Sequence, residues 1–406
     1  MAAKVVQIFC LALVAFAAAA AAPAGAAPFT AGNLLVERLD TTSLSNSAAP
    51  IRVVEYAKTG GSPVQTISLP TSGPNRQTDS PTATSNGSLN TYGGYVSVPG
   101  VNVSVGTTAP DRLDAKINSI LDTSGTVVTH TLFPAVPNDV PYRSGPYRSS
   151  IATSGSTFYT AGSASFGTSS GGIWYTDGSR FFQLSATSGS VTDIRNVEIY
   201  NNQLYFSSQS GAFLGVSSLG TGLPTSGPQT AALQIDLGTG GSAYGFVMFD
   251  TNGDHVLDRA YVADDRATAA NGGINRFDFS GNAWSRTSAF RFDNMSRRLS
   301  SGTSGTHIVS IRGLTGTYDP LTSTASLFAT TTESTNNQLI SFVDSGSLST
   351  STKFLPLGFA GANNVFRGVD LAPVPEPSTF VLVGLGIAAA GWTRWRRRVN
   401  GGHVKL

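Results

Sequence analysis

Nine consecutive residues, Asp250-Thr251-Asn252-Gly253-Asp254-His255-Val256-Leu257-Asp258, place oxygen-bearing side chains at positions 1, 3, 5 and 9. That spacing is the beginning of a calcium loop, in which hard oxygen donors at alternate positions converge on one cation. The pattern then departs from such loops: the glycine stands at position 4 instead of 6, and position 12 is Tyr261 where a bidentate glutamate belongs. Asn252-Gly253 between two apolar runs is also a hairpin signal. Asp250, Asn252, Asp254 and Asp258 therefore read first as a turn and second as a calcium site. Calcium is the one cofactor the sequence suggests.

Two other clusters could contact a ligand. Tyr142-Arg143-Ser144-Gly145-Pro146-Tyr147-Arg148 is the densest aromatic and basic stretch. The rings of Tyr142 and Tyr147 could stack on sugars while Arg143 and Arg148 donate to hydroxyls or carboxylates, although an inter-blade structural loop explains the same residues. Asp264-Asp265-Arg266 follows a clear strand, so its carboxylates fall at a strand end and serve either as loop caps or as ligands. Histidine is scarce: His130, His255, His307 and His403 are the four, with no His-x-x-x-His pair for a zinc site. The chain has neither a convincing nucleophile elbow nor a phosphate-cradling glycine loop with its lysine. No catalytic residue is assigned.

The elements that must position these residues are short strands. Between Phe29 and Ala372 the chain is rich in Ser, Thr, Gly and Asn and broken by β-branched and aromatic runs such as Ile51 to Val54, Val127 to Leu132 and Tyr244 to Phe249. That pattern predicts an all-β fold. A unit of strand, polar loop, Gly-Gly and strand recurs. Thr157 to Ala161 with Gly171 to Tyr175, and Ala260 to Asp264 with Gly272 to Phe277, are the better copies; Leu204 to Ser208 with Gly211 to Leu214, and Ser326 to Thr330 with Asn337 to Phe342, are looser ones. Anchored on Phe158, Tyr205, Tyr261 and Leu327, the copies are 47, 56 and 66 residues apart. Repeats of this kind predict a β-propeller, of about seven blades if a 40–50-residue period fills the body. Closure would come from an N-terminal strand at Asn33 to Leu39 completing a blade with Asn364 to Leu371. The alternative is one or two β-sandwiches, because residues 30 to 145 show the repeat poorly.

The ends of the chain carry addresses. Lys4, the apolar run Ile8 to Ala22 and the small residues Ala24-Gly25-Ala26 predict a signal peptide over residues 1–26, for export through the Sec machinery. Cys10 is the only cysteine, so the mature chain has neither disulfides nor thiolate metal sites. Residues 27–373 form the β-rich body. Residues 374–406 hold Pro375-Glu376-Pro377, an apolar run from Thr379 to Trp392, and Arg394, Arg396, Arg397 and Arg398. The run is short for a membrane span, and the arginines behind it predict a cytoplasmic tail on a single, weak transmembrane helix. Without the two ends, 20 basic and 23 acidic residues remain, a balance that excludes the basic footprint of a nucleic-acid binder.

The tail resembles the PEP-CTERM sorting signal. The resemblance implies processing by an exosortase-type membrane protease, in bacteria that commonly make extracellular polysaccharide. Tyr261-Val262-Ala263-Asp264-Asp265 and Phe366-Arg367-Gly368-Val369-Asp370 also resemble secreted propellers with this tail. The expected protein is thus exported, held transiently at the inner membrane, and then placed on the cell surface or in the extracellular matrix. Its expected role is non-catalytic binding or scaffolding, toward exopolysaccharide or envelope proteins. The alternative is a secreted lactonase-like or other hydrolase with Asp250, Asp254, Asp264 and a histidine gathered at a central site.

Overall fold

The computed structural model describes residues 26–374 apart from 135–139, 165–169, 186–190, 267–271, 291–309 and 347–353. The expected signal-peptide run, the Pro375-Glu376-Pro377 motif, the expected spanning helix and Arg394, Arg396, Arg397 and Arg398 lie outside the described residues. Among those described, no helix is long and apolar enough to cross a membrane.

The body is built from antiparallel strands. The first eight are β1 (Leu34–Leu39), β2 (Ala49–Tyr56), β3 (Gln65–Ser68), β4 (Thr78–Asp79), β5 (Asn90–Tyr92), β6 (Tyr95–Val101), β7 (Lys116–Leu121) and β8 (Val127–Leu132). Four regular meanders follow. They are β9 (Tyr147–Ala152), β10 (Phe158–Gly162), β11 (Gly172–Thr176) and β12 (Phe181–Gln183); β13 (Ile194–Tyr200), β14 (Gln203–Ser208), β15 (Gly215–Leu219) and β16 (Ala231–Asp236); β17 (Ala243–Phe249), β18 (Arg259–Asp264), β19 (Gly273–Ser280) and β20 (Ala283–Phe290); and β21 (Ile311–Asp319), β22 (Thr324–Thr331), β23 (Gln338–Asp344) and β24 (Leu355–Phe359). The last strand, β25 (Val365–Leu371), returns to pair with β1.

Each meander is one four-stranded sheet. The remaining nine strands resolve into two more such sheets, β25-β1-β2-β3 and β5-β6-β7-β8, joined through β4. The innermost strands β5, β9, β13, β17, β21 and β25 pack one against the next, and β25 packs back on β5. Among the described residues this is a closed ring of six blades, a β-propeller. Burial follows the radius: every residue of β9 is buried, whereas the outermost strands β16 and β24 are largely exposed. Apolar side chains between neighbouring blades form the core, as where Ile151, Tyr159 and Ile173 meet Val197, Leu204 and Phe206.

The expected closure is present, with Leu34 opposite Leu371 and Leu39 opposite Val365. The ring has six blades where a period of 40–50 residues suggested about seven, because connections such as that from Phe290 to Ile311 lengthen the unit. The copies anchored on Phe158, Tyr205, Tyr261 and Leu327 are the second strands of four blades. One looser copy was misplaced: Gly211 to Leu214 precede the third strand of their blade, which starts at Gly215. Residues 30 to 145 hide the repeat because one of their blades takes its inner strand from the far end of the chain and the other has an inner strand of only three residues.

Candidate functional site

The inner strands share a local irregularity. Arg148 lies between the paired positions Tyr147 and Ser149, and Arg195 between Ile194 and Asn196, each at a register shift. Tyr244-Gly245 face the single residue Ala263, Arg312-Gly313 face Thr330, and Arg367-Gly368 face Glu37. Five blades thus carry a β-bulge at one level of the ring. A bulge inserts residues that the ladder cannot pair and turns their side chains out of the pleat. Here the side chains are four arginines and a tyrosine.

The glycines of these bulges let the blades approach. A Cβ at Gly313 would stand 2.9 Å from the Arg367 carbonyl oxygen, and one at Gly368 would stand 2.7 Å from the Leu89 nitrogen. In the other half of the ring polar side chains fill the same place. The Asn196 Oδ1 accepts from Ser149 Oγ at 2.6 Å and Ser88 Oγ at 2.8 Å, with Asn90 Nδ2 at 3.1 Å. This network floors a cleft over the ring centre.

Ser88, Arg195, Asn196, Tyr244, Arg312 and Arg367 line that cleft, with Glu333 at one side. Its cavity volume is about 30 Å³, room for a few water-sized groups and not for a whole hexose. Tyr244 is held between two guanidiniums, Arg195 at 4.8 Å and Arg312 at 5.1 Å from its ring centroid, and its hydroxyl accepts from Arg195 Nη1 at 2.6 Å. The negative face of the ring attracts both cations. Arg312 pairs with Asp265 at 2.8 Å. Arg148 pairs closely with Asp193, which also lies 3.9 Å from Arg195.

Arg367 is buried, donates to the Pro81 carbonyl, and forms no salt bridge among the described residues. Its Nε, like that of Arg195, is buried without a partner. Burial pushes the Arg367 pKa down to about 10; Asp79 opposes the shift and Arg312 adds to it. Burial also lowers Arg148, helped by the charge of Arg195. Beneath them, burial raises the Asp79 carboxyl to about 6 and pushes Glu37 well above the usual carboxylate range, with Asp79 adding to the shift on Glu37. The cleft is a cationic surface over protonatable carboxyls. Deeper in the ring, Glu198 and Asp370 are each raised by burial; neither lines the cleft.

The residues singled out from sequence fall elsewhere, with two exceptions. The Asp250–Asp258 stretch is the β17–β18 hairpin, at the end of its blade away from Tyr244. Asp250 accepts from the amides of Gly253 at 2.7 Å and His255 at 2.8 Å, and Asp258 accepts from Thr251. Partial desolvation opposes the shift, but these and neighbouring amides hold the Asp250 carboxyl below its usual range. Asn252 bonds Asp254 and Asp254 accepts from Val256. The carboxylates organise the turn, and among the described residues no three His, Cys, Asp or Glu side chains are grouped to hold a metal.

Tyr142 and Tyr147 are fully buried and stacked at 5.4 Å, so neither ring face is open to a sugar. The sugar-contact reading of the two rings is corrected in favour of the structural one: the turn folds Tyr142 inward, where it bonds Thr160. Arg143 stays at the surface, 4.0 Å from Asp114. Arg148 is one exception, as a member of the bulge ring. Asp265 is the other, through Arg312; Asp264 is buried against Arg266. Asp264 pairs with the first residue of β17 and Asp250 follows the last, so the acids needed by the hydrolase reading sit at opposite ends of one blade, about 20 Å apart. His130 bonds Ser119 from an outer strand, His255 lies in the exposed hairpin, and His307 and His403 fall outside the described residues.

Arg195, Tyr244 and Arg312 were not singled out from sequence. The signal was there in Ile194-Arg195-Asn196-Val197-Glu198, Ile311-Arg312-Gly313-Leu314-Thr315 and Phe366-Arg367-Gly368-Val369-Asp370: apolar, arginine, small, apolar, polar.

Residues 373–398 match the PEP-CTERM protein-sorting motif. The match marks an exported protein, anchored in a membrane before release and targeted for processing by exosortase, a membrane protein. No curated protein matches the sequence. Several solved structures are similar to this chain at low identity. A candidate 6-phosphogluconolactonase from Bacteroides uniformis is 12% identical over 81% of this chain and 83% of its own, with a TM-score of 0.41. The haemagglutinin-neuraminidase ectodomain of parainfluenza virus 5 is 11% identical over 80% and 77%, at 0.43. A quinoprotein alcohol dehydrogenase-like protein from Bacteroides thetaiotaomicron is 10% identical over 86% and 97%, at 0.36.

Proposed function

We propose that the mature protein is a non-catalytic binding propeller of the cell surface or extracellular matrix, whose ligand is exopolysaccharide. Residues 1–26 are its Sec signal peptide, 27–373 its working body and 374–406 its sorting segment. The observation that carries the binding role is the ring of bulged side chains, Arg148, Arg195, Tyr244, Arg312 and Arg367, at one face of the body. Guanidiniums and a tyrosine can hold a ligand, and the Tyr244 hydroxyl is engaged by Arg195 rather than by a carboxylate or histidine base that would activate it. Fold alone would leave the activity open.

Three experiments test this reading. Peptide mass spectrometry of membrane, surface and medium fractions is expected to find a C-terminus near Pro375 outside the membrane. Replacing Pro375 and Pro377 by Ala is expected to leave uncut, membrane-held chains. Co-sedimentation of the released protein with the host's matrix polysaccharide is expected to be saturable and to leave the glycan uncleaved. Equal release of variant and wild type would overturn the sorting role; glycan cleavage or no glycan binding would overturn the binding role.

A further inference from the structure

We infer that the cleft at the bulge ring is a carboxylate-binding site that takes the uronate group of an acidic sugar chain. The inference rests on the binding reading above and names its ligand class.

The argument begins with unmet hydrogen-bonding capacity. A buried guanidinium that leaves a donor unpaired is costly unless a partner supplies acceptors. Arg195 and Arg367 each bury an Nε with no partner, and both line the same cleft. Arg195 spends its terminal nitrogens on neutral groups, Tyr244 and Gln209, and approaches Asp193 no closer than 3.9 Å. Charge is more nearly balanced: Arg195, Arg312 and Arg367 line the cleft beside Glu333, Asp265 already holds Arg312 and Asp193 holds Arg148, Glu333 touches Gln338 at 3.4 Å, and burial raises the Asp79 and Glu37 carboxyls beneath Arg367.

Geometry selects among anions. A guanidinium is a planar fork that matches a planar carboxylate with two parallel bonds. Tyr244 and Gln209 hold the terminal nitrogens of Arg195, and Asp265 holds Nε and Nη2 of Arg312, so both guanidiniums are anchored beside the Tyr244 ring. The cavity admits a group of a few atoms, so the anion enters while its sugar ring rests at the rim, where Ser85 and Thr332 supply hydroxyls. Asn196 and Ser88 already bond each other below and hold the floor in place.

The test uses the released mature protein and isothermal titration with sodium D-glucuronate, D-glucose and sodium sulfate. Glucuronate is expected to bind saturably and to raise the melting temperature; glucose is expected to do neither, and sulfate to bind more weakly. Arg195→Gln and Arg312→Gln, at partly exposed positions, are expected to keep the fold and each weaken glucuronate by about tenfold or more. Arg367→Lys keeps the buried charge and is expected to lose affinity because the fork is gone. Sulfate equal to glucuronate, glucose equal to glucuronate, or unchanged binding by both Gln variants would overturn the assignment. Parallel co-sedimentation with alginate and dextran separates this failure from failure of the broader reading. Binding to dextran alone overturns the carboxylate site and leaves polysaccharide binding standing. Glucuronate binding without either polymer upholds the site and overturns the polysaccharide role.

Discussion

The β17–β18 hairpin and the bulge ring occupy opposite ends of the same blade, and they use charge in opposite ways. In the hairpin, Asp250, Asn252, Asp254 and Asp258 stand within nine residues and spend their oxygens on the turn's own backbone amides. At the ring, Arg195, Arg312 and Arg367, far apart in sequence, meet around a common cleft, and two of them, Arg195 and Arg367, have a donor left over. Density along the chain is therefore a poor guide to a site in a propeller. What matters is recurrence at one register position, because the ring turns periodicity into proximity.

The comparison can be broken by substitutions matched across the two regions. The largest effect is expected from Phe366→Ala at the ring. Phe366 is 1% exposed and packs edge-on against Tyr56 at 5.9 Å, so the cavity should cost about 3–5 kcal/mol. Val256→Ala in the hairpin, where the side chain is 49% exposed, should stay within about 0.5 kcal/mol. Urea denaturation of both variants checks the contrast, and equal losses would dissolve it.

A smaller effect is expected from pH, with opposite signs in the two regions. Asp79 beneath the ring has its folded pKa raised by burial to about 6, so the folded state binds the extra proton. Its contribution is complete below the ordinary carboxylate range and is lost as pH rises through about 6, by about 2–3 kcal/mol at most. Asp250, with its pKa lowered, contributes above the ordinary range and loses that contribution as pH falls through its lowered value. Asp79→Asn should flatten the decline in urea midpoint between about pH 4 and 6; an unchanged slope would assign the dependence to another group.

The smallest contrast is between two glycines. Gly368→Ala would press a Cβ against backbone of the neighbouring blade at 2.7 Å and should cost about 1–3 kcal/mol. Gly253→Ala meets nothing within 4 Å and bears only the strain of φ +80°, about 1 kcal/mol. Thermal melts of the two variants should differ in that order.

The fold was largely legible because compact apolar and aromatic runs, such as Phe158 to Gly162 and Gly172 to Thr176, are buried almost throughout and separated in sequence by Gly- and Ser-rich stretches. Blade closure was legible from the apolar runs at the two ends of the body. The site was hardly legible. A bulge leaves no mark in hydropathy, and Arg195 and Arg312 look like ordinary charged residues until register places them side by side. Tyr142 misled for the reverse reason: an aromatic beside arginine looks exposed, yet its φ of +58° turns it into the core.

The pairing of β1 with β25 also sets an order of events. The strand that shuts the ring is the last described strand in chain order, and Pro373, two residues beyond it, is where the sorting motif begins. Until Val365–Leu371 has docked, β1 has an open edge and its blade has no inner strand. The tether that holds the C-terminus at the membrane therefore also delivers the closing strand, and the chain becomes a ring only when it is ready to be cut loose.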